Sequence, residues 1–192
     1  MEKLRCWYQK AGRIMQNHWE LRIKKNIYPA LKEFKHLPVI YLEIGLLDGR
    51  TSDWMMAHIL THRRARLIGI DPVVEKCSWL KTKYRKRVHI IQGLSQEVIP
   101  QKVNTGKWKN ESIDIIYIDG DHAPDTIRQD FYNCWPLLKK GGVLIFDDYL
   151  LLDSKTNKSR TDIKDAIDKI LSENIKHMSI LFINRQLGIK KI

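Results

Sequence analysis

From Pro38 onward, short apolar runs alternate with helical stretches, and this alternation constrains the fold more than any other feature of the chain. The runs Val39–Leu42, Arg66–Ile70, Val88–Ile91, Ile113–Ile118 and Val143–Phe146 are nearly continuous in apolar residues. Strands of that kind are buried on both faces, as in a parallel sheet covered by helices on either side. Helical stretches near Thr51–Thr61, Ser78–Tyr84 and Ser95–Ile99 supply the crossovers, and Lys102–Ser112 reads as a polar loop. Ile127, Phe131, Cys134, Trp135 and Leu138 mark a further helix, with Gly141-Gly142 predicted to end it. After a loop at Leu150–Arg160, the residues Ile163, Ala166, Ile167, Ile170 and Leu171 form one more helical face, capped by Ser159 or Thr161. Ser179–Asn184 and Leu187–Ile192 read as a hairpin around Asn184-Arg185-Gln186. The fold class expected is α/β, a doubly wound, mostly parallel sheet with a C-terminal antiparallel hairpin.

The residues before Pro38 differ in character. Residues 1–37 carry nine Lys/Arg and three Glu, an excess of six, against +12 for all 192 residues. Leu4, Trp7, Tyr8, Ala11, Ile14 and Met15 recur at helical spacing, which predicts an amphipathic helix packed on the body. The expected organisation is a basic helical extension over 1–37 and one sheet-based domain over 38–192. No apolar run approaches the roughly 20 residues that cross a bilayer. The first ten residues lack the apolar core of a signal peptide. Cys6, Cys77 and Cys134 lie far apart and form no CxxC pair, so inert thiols in a reducing, cytoplasmic compartment are expected.

In sheets of this kind ligands bind outside the carboxyl ends of the strands, where the strand order reverses. The first strand ends in Glu43-Ile44-Gly45-Leu46-Leu47-Asp48-Gly49-Arg50-Thr51-Ser52. Its two glycines serve a tight turn, or admit a ligand close to the backbone. The GxGxxG spacing of dinucleotide sites is missing, which sets back a nicotinamide dehydrogenase. The second strand ends in Asp71, placed to accept from ribose hydroxyls or to cap its loop. The third leads to Gly93, Ser95 and Gln96, where Ser95 caps a helix or meets an adenine edge. The fourth ends in Asp119-Gly120-Asp121-His122 and the fifth in Asp147-Asp148-Tyr149. Carboxylates so gathered repel one another unless a hard divalent cation binds them. His122, three residues past Asp119, is suited to take a proton there. Solvated loop acids and a surface histidine are the simpler reading of the same residues.

With these residues assembled, the chain from about Val39 to Ile192 resembles the class I S-adenosylmethionine-dependent methyltransferases. The stretch YLEIGLLDGRTS is similar to their first motif, E-x-G-x-x-x-G-x-[ST]. The resemblance implies a Rossmann-like seven-stranded sheet and a cofactor pocket built from Glu43, Gly45, Gly49, Thr51, Ser52, Asp71, Gly93, Ser95, Gln96 and Asp119. A finer likeness is to the metal-dependent O-methyltransferases of macrolide-sugar and catechol type, a methyltransferase 24-like family, through YIDGDH and GGVLIFDDY. It implies Mg²⁺ or Mn²⁺ on Asp119, Asp147 and Asp148, with catalytic roles for Asp119 and for His122 as base. Asp148 and His122 stand where the catechol type has Asn and Lys, which favours the sugar-type branch. The implied partner is a small molecule with a hydroxyl acceptor. Lys155, Lys158 and Arg160 hint that it is anionic.

Two rivals remain at this stage. A nucleic-acid methyltransferase, acting on RNA, draws on the basic cluster Lys81, Lys83, Arg85, Lys86 and Arg87, but no (D/N)PP(Y/F) motif accompanies it. A non-catalytic cofactor-binding module would leave the acid set and His122 without a use. The aromatics Trp7, Tyr8, Trp19 and Tyr28 leave open core packing, a substrate entrance or a homo-oligomer contact.

Overall fold

The computed structural model describes residues 23–150 and 161–192. The expected amphipathic face from Leu4 to Met15, the aromatics Trp7, Tyr8 and Trp19, and the cations Lys155, Lys158 and Arg160 lie outside the described residues. Seven strands form one sheet: β1 (Ile40–Ile44), β2 (Arg66–Asp71), β3 (Val88–Gln92), β4 (Ile113–Ile118), β5 (Leu138–Phe146), β6 (Met178–Ile183) and β7 (Leu187–Lys191). Their order is β3-β2-β1-β4-β5-β7-β6. β1 to β5 run parallel, and β7 inserts antiparallel between β5 and β6. Among the described residues six α-helices accompany them: α1 (Tyr28–Leu31), α2 (Arg50–His58), α3 (Trp79–Tyr84), α4 (Ser95–Asn104), α5 (Pro124–Cys134) and α6 (Thr161–Asn174). This is the mostly parallel sheet with a C-terminal antiparallel hairpin that the alternating runs predict, in the Rossmann-like seven-stranded form that the resemblance implies.

Successive side chains of a strand point to opposite faces, so a continuously apolar strand feeds two cores. Leu42 of β1 and Ile116 and Ile118 of β4 join one core with Phe131 of α5 and Ile167 of α6. Tyr41, Ile115 and Tyr117 join the other, with Met55 and Met56 of α2 and Leu80 of α3. Ile23, Ile27, Leu31 and Phe34 recur at helical spacing, are buried, and pack into that second core. The described part of the N-terminal section therefore shares the core of the sheet. Lys190 of β7 adds an ion pair to Glu33 at 2.9 Å. Among the described residues no helix is long and apolar enough to cross a membrane.

Three local expectations need correction. Gly141-Gly142 does not end α5. That helix stops at Cys134, followed by one tight turn over Trp135–Leu137, where Pro136 has no N–H to continue it. The glycine pair sits inside β5, which begins at Leu138, and Gly141 (φ +75°) lies where the pairing with β4 shifts register. α4 continues past Ile99 to Asn104, tolerating Pro100 within it. The polar loop starts correspondingly later.

Candidate active site

The strand order reverses between β1 and β4, and a cavity of about 450 Å³ opens there at the carboxyl ends of the strands. Its walls run from Gly45 and Asp71 past Gly93, Ser95 and Gln96 to Asp119 and His122. Gly45 is required by geometry. Its φ is +81°, and a Cβ there would stand 2.0 Å from the carbonyl oxygen of Asp119. The backbones of β1 and β4 thus close on each other, with the Asp119 N–H donating to Ile44 O at 2.8 Å.

Asp71 is buried, and its carboxylate organises the turn after β1. Oδ2 accepts from the N–H groups of Leu46 (2.8 Å) and Leu47 (3.0 Å), and Oδ1 from that of Val73 (2.7 Å). Glu43 lies behind the cavity, fully buried, accepting at Oε2 from Ser52 Oγ (2.5 Å) and Tyr41 OH (3.0 Å). Burial pushes its carboxyl up to about 7, against these two hydrogen bonds, and among the described residues its Oε1 has no partner. Gly49 stands at the N-cap of α2, where a Cβ would meet the Leu80 side chain at 2.8 Å. Gly49, Thr51 and Ser52 shape the loop and helix start and do not line the cavity.

Ser95 lines the cavity but is no helix cap. It is the first residue of α4, and its hydroxyl donates to Asp130 Oδ1 of α5 at 2.7 Å. Gln96 Nε2 donates to the same oxygen at 2.7 Å and to Ser95 Oγ at 2.9 Å.

The opposite end is acidic. Ligand atoms of Asp119, His122 and Asp148 lie within 4.8 Å of one another. Asp147 stands outside that group. Its Oδ1 accepts from Tyr117 OH (3.0 Å) and Gln186 Nε2 (2.5 Å). His122 Nε2 is 3.2 Å from Asp148 Oδ2, and its side chain is 40% exposed at the rim. Asp148 Oδ1 accepts from Arg185 Nε at 3.0 Å and pairs with Nη2 at 2.9 Å. Asp148 itself adopts φ +55°, a left-handed conformation at the strand end. Burial, then the charges of Asp147, Asp148 and Glu43, push the Asp119 carboxyl well above the usual carboxylate range. Burial and Asp148 raise Asp147 as well, against the hydrogen bonds from Gln186 and Tyr117.

Tyr117, Asp130, Arg185 and Gln186 were not singled out from the sequence as site residues. The last two had a readable signal. Phe146 pairs with Leu187 in the antiparallel ladder, and continuing that register sets Gln186 opposite Asp147 and Arg185 opposite Asp148. The basic cluster is partly consumed by structure. Lys83 pairs with Asp53 at 2.5 Å, and the Arg87 guanidinium donates to the carbonyls of Leu60 and Ala65.

Residues 42–149 match a family described as a methyltransferase domain, more than half of the chain. The chain belongs to that family. This methyltransferase is 27% identical over 181 residues to an uncharacterised protein of Acanthamoeba polyphaga mimivirus, covering 86% of this chain and 76% of that one. Its fold is shared with MycE, a methyltransferase of the mycinamycin biosynthetic pathway solved with Mg, S-adenosylhomocysteine and mycinamycin VI. That likeness has a TM-score of 0.64 at 17% identity, over 86% of this chain and 48% of MycE. This methyltransferase therefore spans about half the length of that neighbour. It is likewise similar to CalS11, a TDP-rhamnose 3'-O-methyltransferase of calicheamicin biosynthesis, with a TM-score of 0.61 at 16% identity over 92% of this chain and 80% of CalS11.

Proposed function

We propose that this methyltransferase moves a methyl group from S-adenosylmethionine to a hydroxyl oxygen of a small molecule, a sugar or its nucleotide-linked form, assisted by a divalent cation. The observation that carries the reading is one cavity whose two ends differ in kind. Hydrogen-bonded neutral groups and Asp71 line one end; Asp119 and His122 line the other, where Asp148, outside the lining, brings a carboxylate oxygen within 4.8 Å of both.

At the donor end Gly45 lines the cavity, with Gly93, Ser95, Gln96 and Asp119 beside it. Glu43, Gly49, Thr51 and Ser52 hold the first loop from behind. A carboxylate accepts about four hydrogen bonds, and Asp71 uses three on backbone N–H groups. Capacity remains for a ribose hydroxyl.

At the acidic end the donor set suits a hard divalent cation. Oxygens of Asp119 and Asp148 stand within 4.8 Å of each other. Burial and the charges of neighbouring carboxylates keep the carboxyls of Asp119 and Asp147 from ionising cheaply, and a doubly positive ion removes that penalty. Asp119 and Asp148 would hold Mg²⁺ or Mn²⁺, with Asp147 adjoining; when bound, the ion makes an acceptor hydroxyl more acidic. His122, open at the rim, takes the hydroxyl proton on Nε2, and the neighbouring Asp148 carboxylate stabilises the imidazolium. The acceptor oxygen forms its bond to the methyl carbon as the sulfur leaves with the old bonding pair. Positioning then supplies most of the rate.

The test is product analysis by mass spectrometry, with nucleotide-linked sugars, glycosides and RNA as acceptors, with and without a chelator. Methylated sugar and S-adenosylhomocysteine formed only when Mg²⁺ or Mn²⁺ is present is the expected result. Methylated RNA with untouched sugars would overturn the acceptor reading. Undiminished sugar methylation under chelation would overturn the metal.

A further inference from the structure

Asp130 of α5 is fully buried and does not line the cavity, yet it controls two residues that do. The Ser95 hydroxyl has one hydrogen, and it goes to Asp130 Oδ1. The Gln96 amide has two; one goes to Asp130 Oδ1 and the other to Ser95 Oγ. No side-chain donor is left on either residue. What they still offer the cavity is acceptors only, the Gln96 Oε1 and a lone pair of Ser95 Oγ. Left to itself a glutamine amide presents either end, since its oxygen and nitrogen exchange places by a half-turn. A carboxylate behind it removes that freedom, because a carboxylate can only accept. Burial pushes the Asp130 carboxyl up to about 6, against the hydrogen bonds from Ser95 and Gln96, so it stays ionised at neutral pH.

We propose that Asp130 is a positioning residue that makes this end of the cavity an acceptor-only edge, selecting a 6-aminopurine nucleoside over its 6-oxo counterpart. The proposal rests on, and deepens, the reading that the cavity holds an S-adenosyl donor. The 6-amino group of adenine donates hydrogen bonds. The 6-oxo group of hypoxanthine accepts, so against Gln96 Oε1 and Ser95 Oγ it would leave buried acceptors facing one another unpaired.

Calorimetric titration of the full chain with S-adenosylhomocysteine and with S-inosylhomocysteine tests this. A site built to pair one edge rejects the inverted edge strongly, so the wild type should prefer the adenosyl compound by about 100-fold or more. With Asp130→Leu the fixed acceptor is gone, Ser95 and Gln96 can reorient, and the ratio should fall below about tenfold. A merely structural role would weaken both ligands together and keep the ratio, which overturns the proposal. Should Asp130→Leu fail to fold, NMR on the wild type decides. The Gln96 side-chain amide protons, assigned by their loss in Gln96→Glu, should keep their shifts when S-adenosylhomocysteine binds. A large shift, as from a new bond to the base, overturns the proposal. A wild type that binds both ligands equally refutes Asp130's role alone. One that binds neither refutes the donor reading and this proposal together.

Discussion

The two ends of the cavity are built from the same structural device, a loop at the carboxyl end of a parallel strand, yet they settle their polar groups in opposite ways. After β1, β2 and β3, most polar side chains find partners within the protein. Asp71 takes three backbone N–H groups, and Ser95 and Gln96 close onto Asp130. After β4 and β5, three aspartates meet with one arginine and one histidine near them, and burial together with their mutual charge pushes Asp119 and Asp147 upward. A preformed, satisfied surface is ready for a fixed ligand. A surface with surplus negative charge is incomplete until a cation arrives.

The largest effect should come from the acidic end. His122→Ala is expected to lower kcat by about 10²–10⁴-fold, while S-adenosylhomocysteine affinity measured by calorimetry stays within about threefold. An equal loss of both would erase the division between the two ends. Next comes the junction where they meet. Gly45→Ala forces a Cβ onto the Asp119 carbonyl at a positive φ. It should cost about 4 kcal/mol of stability in denaturant unfolding.

Glu43 gives a pH signature of similar size. Its carboxyl rises from 4.5 to about 7 on folding. The folded state therefore binds the extra proton, and Glu43's contribution is most favourable below pH 4.5, declines as pH rises toward 7, and is flat above. The full excursion is worth about 3 kcal/mol. Asp130 acts with the same sign between 3.8 and about 6. Glu43→Gln should remove Glu43's share of the decline between pH 4.5 and about 7, leaving the part that Asp130, Asp119 and Asp147 contribute with the same sign. An unchanged pH dependence would place the titration elsewhere. The smallest effect is on metal affinity: Asp148→Asn should weaken Mn²⁺ binding, followed by electron paramagnetic resonance, by about 10–100-fold.

The sequence carried the frame of this site better than its interior. Continuously apolar runs located the five parallel strands to within a residue or two at most ends, because burial on both faces leaves no other pattern. The residues at or just past the ends of those strands, Gly45, Asp71, Gly93, Asp119, Asp147 and Asp148, followed from topology. Misreadings arose where one local signal serves two structures. Gly141-Gly142 suits a helix stop and a strand irregularity equally, and the choice fell to Pro136 and to pairing with β4. Ser95 had every local mark of a cap, but its partner Asp130 lies 35 residues away on another helix. Gln186 and Arg185 looked like plain turn residues. Only the register of β7 on β5 brings them to Asp147 and Asp148.

The most direct measurement is anomalous diffraction from crystals holding both S-adenosylhomocysteine and Mn²⁺. The nucleoside should lie along Gly45, Asp71, Gly93 and Ser95, and the manganese peak should fall between Asp119 and Asp148 with His122 Nε2 left free to accept a proton. A manganese peak remote from these aspartates, or a nucleoside bound outside this cavity, would contradict the division of labour between the two ends.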